Sequence, residues 1–330
     1  MRFGMLYELQ LPKPWDSQSE QRLVDDAIEQ CVLGDKLGID YAWSVEHHFL
    51  EEYSHCSASD VFLSAIAAKT ERIKIGFGIR QVIPNYNHPA RTAESVGMLD
   101  LISHGRAQLG IGEGATRLEL GGFNIPAKRK RAMALESARE IADMMVMEPY
   151  PGYECDDWSM PCRNVLPKPI QKPHPPMWMA CTNRDTIREA ARNGLGVLAF
   201  SFLDSEEAKA WSSIYYDTIK SEECVPLGHT VNANIAMVSA FSLHDDHDEA
   251  SRRGEDGFRF FEYAIGALVT DDVVPGRSSL WEKYIARKQA RAAGQEVHDA
   301  AYGGKRAHPD RSMARSPGIG TADEFRNHMQ

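Results

Sequence analysis

The stretch WSVEHHFLEEY, residues 43 to 53, sets Glu46, His47 and His48 where an apolar run gives way to a polar loop. An imidazole changes charge near pH ~6.5, which suits it to proton transfer, and a carboxylate such as Glu46 or Glu51 would hold its tautomer. A metal would need a third ligand. His55 and His88 are available, but no HxH or HExxH spacing joins them to the pair. Neighbouring strand side chains also point to opposite faces, so His47 and His48 are poorly placed to share one ion, and no metal is expected. The simpler alternative is that one imidazole closes a loop by hydrogen bonding while the other packs.

Two more stretches offer chemistry. GIGEGA, residues 110 to 115, formally satisfies the dinucleotide pattern G-x-G-x-x-G/A. It follows the fourth strand-like run, however, and no acidic residue stands about 20 positions on at a second strand end. Gly110, Gly112 and Gly114 read better as places where the backbone approaches a flat ligand closely, or as a plain tight turn. TNRDT, residues 182 to 186, sets Thr182, Asn183, Arg184 and Thr186 at a helix start. Free N–H groups and the positive end of the helix dipole make a phosphate cradle there, and N-capping by Asn183 is the simpler reading.

These residues need a frame. Strand-like runs fall at residues 3–9, 41–46, 73–79, 106–112, 176–181, 196–202 and 232–241. Amphipathic stretches separate them at 19–37, 59–70, 90–103, 129–147, 183–193 and 205–221, with Ser19, Ser59 and Asn183 as capping residues. Strand-then-helix repetition implies a parallel sheet covered by helices. Seven such runs fit an α/β fold of the TIM (β/α)8 barrel type better than an open doubly wound sheet, because no dinucleotide fingerprint follows the first strand. We expect one domain over residues 1–330, with the Pro- and aromatic-rich segment 149–175 as an insertion and 270–319 as a mobile loop or lid. The closing GIGTADEF reads as a capped helix start at Thr321 and Glu324, and no eighth strand is visible.

Composition excludes several classes. A net charge of −10, with no basic tract longer than AKRKR at 127–131, argues against a nucleic-acid partner. No apolar run has membrane-spanning length. The six cysteines form no CxxC pair, which points to reduced thiols in the cytoplasm, and the first residues read as a strand rather than a signal peptide.

Several motifs together resemble the bacterial-luciferase-like flavin-dependent monooxygenases: FGMLYELQLP, VEHHFLEEYS, IKIGFGIRQVIPNYNHPARTAE, LDLISHGRAQLGIGEG and the lead-in PKPIQKPHPP with MWMACTNRDT. The likeness covers nearly the whole chain. It implies a barrel that binds reduced FMN, with the phosphate at the helix after strand five and the isoalloxazine over the barrel mouth. It implies a non-prolyl cis peptide at Gly78-Ile79 or Ile79-Arg80. Where the luciferases carry a Cys-Arg pair that touches flavin, this chain has Gly112 and Glu113, which removes a cationic phosphate contact.

By the same likeness, dioxygen adds to the C4a carbon of the flavin as a hydroperoxide and His47 or His48 assists by proton transfer. A separate flavin reductase supplies the reduced FMN, and the protein is a homodimer. Tyr7, Trp43, Phe49, Tyr53 and Phe77 are the candidates to line an apolar substrate mouth, although core packing explains most aromatics at such positions. The alternatives are a deazaflavin-dependent hydride-transfer enzyme on the same scaffold and a non-catalytic flavin-binding protein.

Overall fold

The computed structural model describes residues 1–200, 205–270, 273–295, 301–302, 305–306 and 318–329. The first half runs β1 (Gly4–Tyr7), α1 (Ser19–Leu37), β2 (Tyr41–Ser44), α2 (Ser59–Lys69), β3 (Lys74–Gln81), α3 (Pro89–Ile102), β4 (Ala107–Gly112), α4 (Arg117–Gly122) and α5 (Lys130–Val146). Next come β5 (Tyr150–Glu154), β6 (Ser159–Arg163), β7 (Met177–Cys181), α6 (Arg184–Arg192), β8 (Gly196–Ala199), α7 (Ser205–Ile219), β9 (Ile235–Met237) and β10 (Ser242–Leu243). The last are α8 (His247–Thr270), α9 (Leu280–Ala292), β11 (Ala301–Tyr302), β12 (Lys305–Arg306), β13 (Ile319–Gly320) and α10 (Ala322–Met329).

Seven strands form one parallel sheet in the order β1-β2-β3-β4-β7-β8-β9. The sheet curls. Strands β2 and β7 stand three steps apart, about 14 Å in a flat sheet, yet the rings of Trp43 and Trp178 meet at 5.4 Å. Tyr41 stacks on Trp43, and the three rings fill the interior. Two glycines make that possible: a Cβ on Gly76 would lie 2.1 Å from the Trp43 ring and one on Gly196 2.5 Å from the Trp178 ring. Outside the curl, Leu63, Ile66, Ile75, Val96, Leu109 and Ile141 are fully buried between sheet and helices. Removing a side chain of that size from water contributes about 1.5–3 kcal/mol.

A second apolar cluster joins α8 and α9 to the loop after β2, through Leu50, Tyr53, Phe260, Ile265, Leu268, Leu280 and Tyr284. That loop also holds α9 by charge. The buried Glu52 carboxylate accepts the N–H groups of Leu280 and Trp281 and of Lys13, and Glu51 accepts the N–H of Gly276 while pairing with Lys13. Gly276 and the start of α9, which fall within the segment expected to be a mobile loop or lid, contact this loop, the helix through Leu280, Trp281 and Tyr284; much of the rest of 270–319 lies outside the described residues.

Other expectations also change. Ser19 and Ser59 begin their helices without capping them, because the N-cap positions are Gln18 and Ala58. The run at 196–202 is strand over Gly196–Ala199, with residues 201–202 outside the described set, and the run at 232–241 is strand only over Ile235–Met237. The segment GIG, too short to show alternation, does contribute a strand: β13 pairs in parallel with β10. Thr321 and Glu324 then cap α10 reciprocally, and Phe325 of α10 touches both Phe3 and Phe241, spanning the sheet's two edges. Within 149–175, β5 and β6 form an antiparallel hairpin.

Candidate functional site

Strand β2 ends at Ser44, and the two imidazoles leave it in different directions. His47 Nδ1 donates to Glu119 Oε1 at 2.9 Å, and its Nε2 lies 3.7 Å from Glu8 Oε2. Glu119 is 0% exposed; it also accepts the backbone N–H of His48 and the hydroxyl of Thr116. Thr116 in turn caps α4, accepting the N–H of Glu119. Glu8 follows β1, accepts the Tyr53 hydroxyl at 3.2 Å, and keeps Oε2 free of any hydrogen bond among the described residues.

Charge follows from this geometry. Burial works to lower the His47 pKa, but the Glu119 hydrogen bond and the charges of Glu119, Glu8 and Glu46 raise it to about 9. Burial likewise works to raise Glu119, and the His47 contact overrides it to hold that carboxyl below its ordinary value. Glu8 has weaker partners, so burial prevails and pushes it up to about 7. At neutral pH, then, an imidazolium stands between an ionised carboxylate and one poised to titrate.

His48 belongs to a second network. Its Nε2 lies 3.2 Å from Glu46 Oε1, which also accepts Asn87 Nδ2 at 2.7 Å, while Arg80 approaches Glu46 Oε2 at 3.7 Å. Tyr86 stacks on the His48 ring and Phe123 meets it edge-on. Glu46 was legible as a partner. Glu51 is not one, because it is spent on Lys13 and Gly276. Glu119 and Glu8 were missed; the signals were a Thr-x-x-Glu capping box and a carboxylate at a strand's C-terminal end. The other two histidines are elsewhere: His55 pairs with Glu20, and His88 caps α3.

At the end of β3 the peptide Gly78-Ile79 is cis, and the ladder with β4 slips between Phe77 and Arg80. The Ile79 side chain thereby lies against Gly112, where a Cβ would come within 2.3 Å of it. Gly110 makes room for the Phe77 carbonyl and Gly114 for the Tyr86 hydroxyl. Each of these glycines thus has a close neighbour from within the chain. Above the aromatic interior, Leu6, Gly78, Ile79, Ala180, Leu198 and Ala236 are only partly buried and form an apolar floor at the strand ends.

The cradle at α6 is engaged internally. Asn183 Oδ1 accepts the N–H groups of Asp185 and Thr186, and Thr186 Oγ1 accepts those of Thr182 and Asn183. Arg184 turns to Glu207 on α7 in a two-point pair. Positive charge arrives instead from α5: Glu113, just past β4, contacts Lys130 Nζ at 3.1 Å and Arg131 Nε at 3.0 Å, and Arg131 also reaches Glu189 of α6 at 3.4 Å.

The aromatic candidates separate. Tyr53 is fully buried behind His47 against Phe261, and Phe49 is exposed on the rim, stacked on Phe123. Trp43 fills the interior below the floor. Phe77 is buried in the main core. Tyr7 faces the helix layer, hydrogen-bonding Gln30 of α1 and packing on Phe62 of α2.

The family model described as luciferase-like monooxygenase matches residues 1–330. This chain belongs to that family. It is 29% identical over 204 residues to the oxygenase component of a flavin-dependent trigonelline monooxygenase from Acinetobacter baylyi, an alignment covering 60% of this chain and 53% of that protein. The chain spans about half the length of such curated relatives.

Solved structures share the fold. The oxygenating constituent of 3,6-diketocamphane monooxygenase from Pseudomonas putida, in complex with FMN, superposes with a TM-score of 0.70 at 19% identity, covering 99% of this chain and 87% of that one. A coenzyme-F420-dependent tetrahydromethanopterin reductase from Methanopyrus kandleri does so with a TM-score of 0.64 at 20% identity, covering 99% and 88%.

Proposed function

We propose that this chain is the oxygenase component of a two-component flavin-dependent monooxygenase, acting with reduced FMN and dioxygen on a small, largely apolar organic molecule. The observation that carries the reading is His47, held between Glu119 and Glu8 beside an apolar floor at the strand ends. The residues present fit a flat ring with an anionic tail: the floor suits the ring, and Lys130 and Arg131, which now pair with Glu113, suit the phosphate. When bound, reduced flavin supplies the two electrons that activate dioxygen.

The chain's own contribution is to manage protons and exclude water. Glu119 fixes the orientation of the His47 ring by holding Nδ1, which leaves Nε2 to hand over or recover a proton. Glu8, close to Nε2 and with a pKa near working pH, is placed to replenish it. The docked α8 and α9 close over the loop that bears the imidazoles. Two-component operation implies a flavin reductase as transient partner. Six free thiols support a cytoplasmic setting, and the exposed Leu33, Leu37, Val61 and Met98 on α1, α2 and α3 support a homodimer.

The test combines binding and turnover. Photoreduced FMN is titrated anaerobically, then mixed with air and a panel of apolar organics, and oxygenated products are identified. His47→Ala should lower product formation by at least about 100-fold while leaving FMN affinity within about tenfold. Unchanged turnover in His47→Ala and His48→Ala would make both residues structural, and tight deazaflavin binding without reduced-FMN binding would reverse the choice of cofactor.

A further inference from the structure

Helix α5 begins with a run of cations, Lys128 to Arg131, at the end where the helix dipole is already positive. Such a placement opposes helix stability unless anions answer it. Arg129 finds Asp157, and Lys130 and Arg131 share Glu113. Glu113 follows the last residue of β4, and Arg131 extends to Glu189 on α6 and places its charge near Cys181 on β7. This cluster therefore sits between the ends of two adjacent strands, next to a helix start whose own amides are occupied by Asn183 and Thr186.

Two cations face two carboxylates there, so the cluster as it stands is neutral. A phosphate dianion entering it must separate Glu113 from at least one cation, and it meets the carboxylate's repulsion while doing so. The exchange is accessible. Glu113, Lys130 and Arg131 are each partly exposed, although Lys130 also donates to the Gly114 carbonyl; Glu113 Oε2 is buried and, though 3.0 Å from Arg131 Nε, is not aligned with it as a hydrogen bond. A phosphate, with more charge and three acceptor oxygens, can engage both cations better than one carboxylate.

We propose that Glu113 is a specificity-setting counter-anion, occupying Lys130 and Arg131 until the phosphate of a flavin displaces it. It thereby holds down the affinity for FMN without touching the ring. This rests on the flavin-dependent reading above. It assigns Glu113 the role of competitor rather than ligand, and it gives a reason for an acid where the flavin phosphate would favour a base. Low affinity suits a protein that must take its cofactor from a reductase and release it each cycle.

Isothermal titration of wild type, Glu113→Gln and Arg131→Gln with photoreduced FMN and with photoreduced riboflavin tests this. Glu113→Gln should tighten FMN by about tenfold and leave riboflavin, which lacks the phosphate, within about twofold. Arg131→Gln should weaken FMN by a similar factor, again sparing riboflavin, and it decides the matter if the first variant fails to fold. An FMN affinity that Glu113→Gln leaves unchanged or weakens, or parallel shifts for both flavins, overturns the proposal. A wild type that binds neither flavin overturns the functional reading itself, and this inference with it.

Discussion

The two sides of the candidate site are built on opposite electrostatic plans. Around His47 the carboxylates are buried, Glu119 completely, and the partly exposed imidazole has one on each side. Around Glu113 the charges are partly exposed, and pairs share partners without aligned hydrogen bonds. Buried pairs hold one geometry because leaving it strands a charge away from water. Partly exposed pairs exchange more readily because water replaces each lost contact. Under the proposed function, fixed orientation would suit proton transfer, and easy exchange would suit a ligand that comes and goes.

That contrast breaks most sharply at Glu119. Glu119→Gln leaves the His47 imidazolium without its main counter-charge and should cost about 3–5 kcal/mol of stability by chemical denaturation. Arg131→Gln, across the site, should cost less than about 1 kcal/mol. Equal costs would end the comparison.

A smaller effect lies in pH. His47 and Glu8 both have folded pKa values above their unfolded ones, about 9 and about 7. Each therefore binds its proton more tightly when folded, and the stability it contributes is complete below its unfolded pKa and lost as pH rises through the folded value. Thermal unfolding should move to lower temperature between about pH 4.5 and pH 9 on their account, and Glu8→Gln should remove the lower part of that decline. A profile identical in Glu8→Gln and wild type would show that Glu8 does not titrate in this window. The smallest change is expected at Arg184, whose guanidinium is turned to Glu207: Arg184→Ala should leave FMN affinity within about twofold.

Much of the frame was readable from pattern alone. Six helices lie within two residues of their periodic stretches, and the seven strand-like runs all supply strands of the sheet. These elements survive because hydrophobic period is local; of Ser19, Ser59 and Asn183, expected as capping residues, only Asn183 caps its helix. The site was readable only where its residues adjoin in sequence. The histidine pair and Glu46 stand together, but Glu119 is 72 positions from His47 and reaches it only because β4 and β2 end on one rim. Trp43 and Tyr7 alternate as strand residues should. Which face is barrel interior and which is helix layer depends on the direction of curl, and that is a property of the whole sheet. The close neighbours of Gly110, Gly112 and Gly114 were not legible because they come from distant positions: the Phe77 carbonyl and Ile79 from the slipped ladder of β3, and the Tyr86 hydroxyl from the loop after it.

Glu51 and Glu52 have a mechanical consequence. Several donors from residues 276–281 and from Lys13 converge on two adjacent carboxylates, and because Glu52 is buried, releasing its contacts would leave an acid short of partners away from water. The start of helix α9 is thus fixed by several contacts that share two acceptors. Because these contacts are fastened three to five residues beyond the two imidazoles, the segment that carries His47 and His48 is continuous with the seat of α9.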